Sequence, residues 1–189
     1  MMKYLVLIAY FFCQLTSADQ WQSDHSLSEL AYSVNFEQLP IKGQFKDFAV
    51  NYSHQQQLRV VVDITSADMG NSDINEAIRE FDWFNIKQHS QAIFLSETIE
   101  AVSEGAFIAR GTLQLKGITK PVSVPFNWQL SDSPELTQHA SMSGALTLNR
   151  SDFSIGSPEW ASGDQIGLDV SVSFKVKMSS TASISNAPE

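Results

Sequence analysis

The chain has 189 residues, a formal charge of −9 at pH 7, 43% hydrophobic residues and a single cysteine. That length fits one domain with a sizeable core. The acidic balance argues against nucleic acid or anionic lipid headgroups as partners, and one thiol leaves no intrachain disulfide or multi-thiolate metal centre to build.

The N-terminus carries Lys3, an apolar run from Tyr4 to Phe12, and Leu15-Thr16-Ser17-Ala18 with small residues suited to cleavage. This is the pattern of a secretory signal peptide over residues 1–18. The run falls well short of the roughly 20 residues needed to cross a hydrocarbon core. Cys13 follows the bulky Tyr10-Phe11-Phe12 and is expected to leave with the leader. Residues 19–178 are then the expected exported, soluble domain, and residues 179–189, small and polar, an expected disordered tail.

Alternation of period two fixes the fold class. The first strand reads from Leu30 to Phe36 and places Tyr32, Val34 and Phe36 on its apolar face. The second, Gln44 to Ser53, contributes Phe48, and the third, Leu58 to Ile64, contributes Val62 and Ile64. From Ser72 to Phe81 the pattern changes to helical spacing of Ile74, Ile78 and Phe81, with Ser72 or Asp73 able to cap its start. One short helix is therefore expected between strands three and four, over a mouth of the sheet, with Trp83 and Phe84 just after it.

Strands resume from Ala92 to Val102, with Phe94 inward, and from Phe107 to Lys116, with Leu113 and Leu115 inward. Glu104-Gly105 is expected to join them as a tight hairpin, and Lys116-Gly117 followed by Thr119-Lys120-Pro121 to form the next turn. The strand from Val122 to Leu130 presents Phe126 and Trp128, and that from Ser141 to Asn149 presents Leu146 and Leu148. The last, Leu168 to Met178, alternates most strictly and presents Val172 and Phe174.

The result is an all-β protein of eight antiparallel strands, each with one apolar face. Closing the sheet into a barrel removes its edges, and a two-sheet sandwich is the alternative. An eight-stranded barrel is just wide enough to be filled by side chains or to hold one small ligand. The inward set is thus both a candidate core and a candidate apolar tunnel, and Phe81, Trp83, Phe84, Phe153 and Trp160 are candidate mouth residues.

Catalytic patterns are missing from the sequence. His25, His54, His89 and His139 show no metal-ligand spacing, and no Gly-x-Ser-x-Gly elbow occurs. Glu97 and Glu100, at odd separation on one strand, are expected to face opposite sides. Arg150 and Asp152, at i and i+2 at a strand end, have the chemistry to orient a polar headgroup but read rather as a structural pair or a turn, and Lys120 is read in the same way. Neither an enzyme nor a metal or cofactor site is expected.

Ser33-Val34-Asn35-Phe36, Gly43-Gln44-Phe45, Phe81-Asp82-Trp83-Phe84, Ala92-Ile93-Phe94-Leu95-Ser96, Gly111-Thr112-Leu113, Lys116-Gly117-Ile118-Thr119-Lys120-Pro121-Val122 and Asn149-Arg150-Ser151-Asp152-Phe153 occur in an order that resembles the YceI-like family over about residues 28–178. The resemblance implies a lipocalin-like barrel in a bacterial periplasm that binds a polyisoprenoid or isoprenoid quinone non-covalently in an apolar tunnel. Asp82-Trp83-Phe84 and Ile155-Gly156…Trp160 are similar to the branch associated with cytochrome b561-type proteins, which makes a membrane cytochrome the candidate protein partner. The alternative on that reading is a filled barrel serving as an accessory to that cytochrome or to another envelope protein. The chain departs from the family pattern between Phe36 and Gly43, at His89-Ser90 and in the charges of the helix. These positions fall near the expected mouth, so the headgroup preference is not carried over.

Overall fold

The computed structural model describes residues 20–53, 57–131, 137–156 and 158–181. The expected leader and residues 182–189 of the expected tail lie outside the described residues. Among the described residues ten strand segments form one antiparallel sheet: β1 (Gln20–Phe36), β2 (Leu39–Phe45), β3 (Phe48–Ser53), β4 (Gln57–Asp63), β5 (Ala67–Asp68), β6 (Gln91–Ser103), β7 (Ala106–Leu115), β8 (Ile118–Leu130), β9 (Thr137–Asn149) and β10 (Ile166–Thr181). β1 pairs with β10 from Gln20–Thr181 to Phe36–Ile166 and closes the sheet on itself. Lys46-Asp47 bends β2 into β3, and a 3-10 turn at Ile64–Ser66 bends β4 into β5, so the ten segments make eight staves. The expected eight-stranded antiparallel barrel is the fold that forms.

The boundaries differ from expectation where the chain departs from simple alternation. β1 begins at Gln20, ten residues before the expected Leu30, because a bulge between Asp24 and Glu29 interrupts its pairing with Lys177 and Lys175. The bulge inserts an odd number of residues and so reverses which parity points inward. Trp21 is buried before it, whereas Leu30, Tyr32 and Val34 face the interior after it. Ser28 Oγ fills the interrupted ladder by accepting from Lys177 N at 3.0 Å. A second bulge, between Ser96 and Thr98 in β6, leaves Glu97 and Glu100 both exposed, which corrects their expected placement on opposite faces. At the C-terminal end, β10 runs three residues into the segment expected to be a tail.

Two turns show opposite fortunes. Lys116-Gly117 is the expected hairpin, with both residues at positive φ (48° and 76°), as a two-residue type I′ turn requires. Thr119-Lys120-Pro121, expected to extend that turn, instead lies inside β8. β9 pairs with β8 only from Asn127–Ser143 to Leu130–Ala140, so the edge of β8 that carries Pro121 and Pro125 has no ladder partner there. A proline in that stretch costs no sheet hydrogen bond on that side. β1 and β2 are joined by Glu37-Gln38, also both at positive φ (48° and 67°) with no glycine to ease the conformation.

The helix α1 spans Ser72–Ala77 and is capped by Asn71, not by Ser72 or Asp73. The Asn71 side-chain oxygen accepts from Asp73 N at 2.9 Å and Ile74 N at 3.1 Å, which satisfies two of the free donors at the helix start. Beyond Ala77 the segment to His89 continues as turns. No helix among the described residues is long and apolar enough to cross a membrane.

Candidate functional site

The barrel interior is filled at one end and hollow at the other. At the filled end, where β3 meets β4, β6 meets β7 and β8 ends, Trp128 packs edge-on to Trp21 with ring centroids 5.1 Å apart and lies 5.7 Å from Tyr52. Phe107 stacks on Phe126 at 5.4 Å. Leu58, Met142 and Met178 are almost wholly buried between these rings and the rest of the barrel. Aromatic side chains reach inward from the wall and leave only a small cavity there.

Toward the other end the inward positions are mostly Val and Leu, which stop short of the axis. They enclose a cavity of about 660 Å³, a size that suits a small apolar ligand. Its walls explain why Leu113, Leu115, Leu146, Leu148, Val172 and Phe174 are only half-buried although they face inward: they look into open space. The question of filled against hollow therefore has a divided answer, and an entirely filled barrel is ruled out by this cavity.

The structure brings most of the expected inward set to one chamber. Tyr32, Val34, Phe36, Phe48, Val62, Ile64, Phe94, Leu113, Leu115, Leu146, Leu148, Val172 and Phe174 all line it. Phe126 and Trp128 do not; they line a separate cavity of about 190 Å³ at the filled end, because their positions on β8 lie among the aromatics that meet there. Of the expected mouth residues, Trp83, Phe84, Phe153 and Trp160 line the chamber, with Phe153 nearly fully buried beneath it. Phe81 points away: it is 72% exposed and lies under Lys116, whose Nζ is 5.9 Å from its ring centroid. Lys116 Nζ donates to the carbonyls of Asp82 and Ser154, and burial pushes its pKa down.

The mouth is covered by α1 and the turns after it. Ile74, Ala77 and Ile78 turn inward over the chamber. Asp68 anchors this cover. Its carboxylate meets Lys46 Nζ at 2.6 Å and accepts from Asn75 Nδ2 and Gly70 N, each at 2.9 Å. Asn75 Oδ1 in turn accepts from Met69 N at 2.7 Å. The hydrogen bonds from Lys46, Asn75 and Gly70 hold the Asp68 carboxyl well below the usual carboxylate range.

Besides Asp73 of α1, two polar groups stand out in an otherwise apolar wall. Arg150 begins a 3-10 turn (Arg150–Phe153) after β9 and is 4% exposed. Of the expected pair or turn, the turn is what forms: Arg150 and Asp152 share it, and the guanidinium bonds elsewhere. Arg150 Nε donates to Gly167 O at 2.9 Å, Nη1 to Ile155 O at 2.8 Å, and Nη2 to Ile166 O at 2.8 Å and to Trp160 O. Its guanidinium carbon also lies 5.8 Å from the Trp83 ring. One side chain thereby gathers the start of β10, the loop through Trp160 and the covering segment around the mouth, and four carbonyl dipoles take the place of a counter-ion. The second group is Tyr32, whose hydroxyl is buried with no hydrogen-bond partner. Burial, aided by the Asp68 charge, raises its pKa well above the ordinary value.

Several chamber residues were missed by sequence reasoning although the signal existed. Leu30, Val60, Val122, Val124 and Val170 share a face, two residues at a time, with positions that were named. Met69 and Ile155 had no such signal, because they sit in turns where period two says nothing. Among the described residues no group of three or more His, Cys, Asp or Glu side chains could hold a metal ion.

A family model described as the YceI-like domain matches residues 21–178. A UPF0312 protein of Pseudomonas putida (strain W619) is 30% identical over 157 residues, 79% of this chain and 78% of that protein. Among solved structures, BcnA of Burkholderia cenocepacia matches with a TM-score of 0.73 and 26% identity, covering 82% of this chain and 98% of that one. A polyisoprenoid binding domain from Saccharophagus degradans, implicated in plant cell wall breakdown, matches with a TM-score of 0.66 over 84% of this chain and 97% of that one. At 15% identity, that second match speaks to fold alone.

Proposed function

The chain belongs to the YceI-like domain family, and on that premise we propose that it is a periplasmic protein that sequesters or carries a polyisoprenoid or isoprenoid quinone. The observation that carries this reading is the chamber of about 660 Å³, walled by Val, Leu, Ile and Phe side chains and reached past the cover formed by α1. Such a wall offers an extended hydrocarbon about 0.8 kcal/mol for each methylene it removes from water, without any charged contact. Binding is then reversible burial of the tail, with no bond made or broken in the ligand. Export is supported by the leader pattern at Lys3 and Tyr4–Phe12. Electron-transfer partnership with a membrane cytochrome rests only on the resemblance at Asp82-Trp83-Phe84 and Ile155-Gly156…Trp160 and is secondary to the carrier reading.

The test is organic extraction of protein purified from the envelope fraction of its own cells, followed by mass spectrometry of the extract. A prenyl lipid or quinone in stoichiometric amount is expected. A protein that emerges empty and takes up no prenyl chain would refute the carrier reading. N-terminal sequencing of the same material should begin at residue 19.

A further inference from the structure

The chamber and the smaller cavity at the filled end share two lining residues, Leu58 and Met142. Both are almost fully buried, at 1% and 3% exposure, and each faces one space on one side and the other space on the other. The far space is apolar as well, bounded by Ile99, Phe107, Phe126 and Trp128. A hydrocarbon that fills the chamber therefore ends against two side chains, behind which lies more apolar room.

The two walls are held differently. The β4–β6 ladder reaches Arg59–Leu95 and then stops at the bulge of β6. The next amide, Leu58 N, donates instead to the buried Ser96 Oγ at 2.7 Å, which pins Leu58 at that level. Met142 sits on β9 with ladder partners on both sides, Trp128 and Val176, so its backbone is fixed, while its unbranched side chain is the adaptable part of the wall.

We propose that Leu58 and Met142 form the stop that sets how long a chain the protein accepts, Leu58 as the fixed part and Met142 as the movable part. This rests on the carrier reading above and adds a selectivity to it: chains that end at this wall are preferred over longer ones, which must leave their surplus outside the mouth. Truncating either residue joins the far space to the chamber and shifts the preference toward longer chains.

The experiment compares full-length wild type, M142A, L58A and M142L in titrations with farnesol, geranylgeraniol and solanesol, prenyl alcohols of increasing length. Two further buried methylenes are worth about tenfold in affinity. M142A is accordingly expected to favour the longer alcohols over farnesol by at least about tenfold more than wild type does. M142L, which keeps the wall closed, should behave as wild type. Trp128 borders only the far space, so in M142A its emission should respond to the long alcohols, a response that W128F removes and that a merely structural role for Met142 would not produce. Should L58A not fold, M142A carries the test. Wild-type length ranking in folded M142A, with no Trp128 response, overturns the stop. If wild type binds none of the three alcohols, the carrier reading itself fails, and the stop with it.

Discussion

Replacing Arg150 by methionine keeps most of the side-chain volume and removes every donor. Four carbonyls, those of Ile155, Trp160, Ile166 and Gly167, then lose their partner. A buried acceptor left unpaired costs about 1–3 kcal/mol. The mouth admits water to some of these groups, so the lower figure applies, about 1 kcal/mol each. The lost stacking on Trp83 adds about 0.5–1 kcal/mol. The expected loss for R150M is about 4–5 kcal/mol, a large part of the 5–15 kcal/mol that holds a domain together. Lysine retains the charge but offers donors from a single point and cannot span carbonyls on three sides, so R150K should lose about half as much, roughly 2 kcal/mol. Equilibrium urea unfolding of delipidated protein measures both. A loss under about 1 kcal/mol for R150M, or R150K no better than R150M, would refute the view that Arg150 clamps the mouth loops through its fork of donors.

Removing the unpartnered Tyr32 hydroxyl should cost nothing: Y32F is expected to be as stable as wild type or up to about 1 kcal/mol more stable. A thermal melt showing a clear loss would reveal a partner for that oxygen. Narrowing the chamber with L113W and V172F together should weaken prenyl-alcohol binding by about tenfold or more, since at least two methylenes are displaced; unchanged affinity in the folded double variant would sink the chamber as the binding site. The last concerns pH. Because the folded-state pKa of Asp68 is depressed, its contribution is present above the ordinary carboxyl value of about 4 and disappears as pH falls toward the folded value. Hydrogen exchange over residues 69–78, corrected for intrinsic rates, should therefore speed up on acidification in wild type. In D68N it should already be fast at neutral pH, and identical profiles for the two proteins would show that Asp68 does not anchor α1.

The strands that alternate without interruption, β4 and β10 above all, were legible as sequence because period two is a local property. What was not legible depends on partners far away in the chain. The bulge in β1 is specified by its register against Lys175 and Lys177 of β10, and without that register Trp21 has the wrong parity to join Tyr32 in one inward row. The Glu37-Gln38 turn escaped notice because neither residue announces a positive φ. Pro121 read as a turn because nothing local shows that β9 leaves this part of β8 unpaired. Arg150 reads as part of a structural pair or turn with Asp152, and the turn forms; only the folded loops bring four carbonyls to its guanidinium.

Which residues line the interior was easier to read than how much space they leave. Trp21, Tyr52, Phe107, Phe126 and Trp128 come from four different strands and meet at one end. Val34, Val60, Val122, Val124 and Val170 likewise come from four strands and line the other. Strand composition alone mixes the two groups, since β8 carries Val122 and Val124 in the chamber and Phe126 and Trp128 in the plug. Stacking by level separates them. Side chains that reach the axis give the fold a packed end that carries much of its stability, and short ones give it an empty end whose walls lack partner atoms. The empty end is where a bound chain restores the missing contacts, so the binding energy of the ligand and the packing deficit of the free protein reside in the same wall.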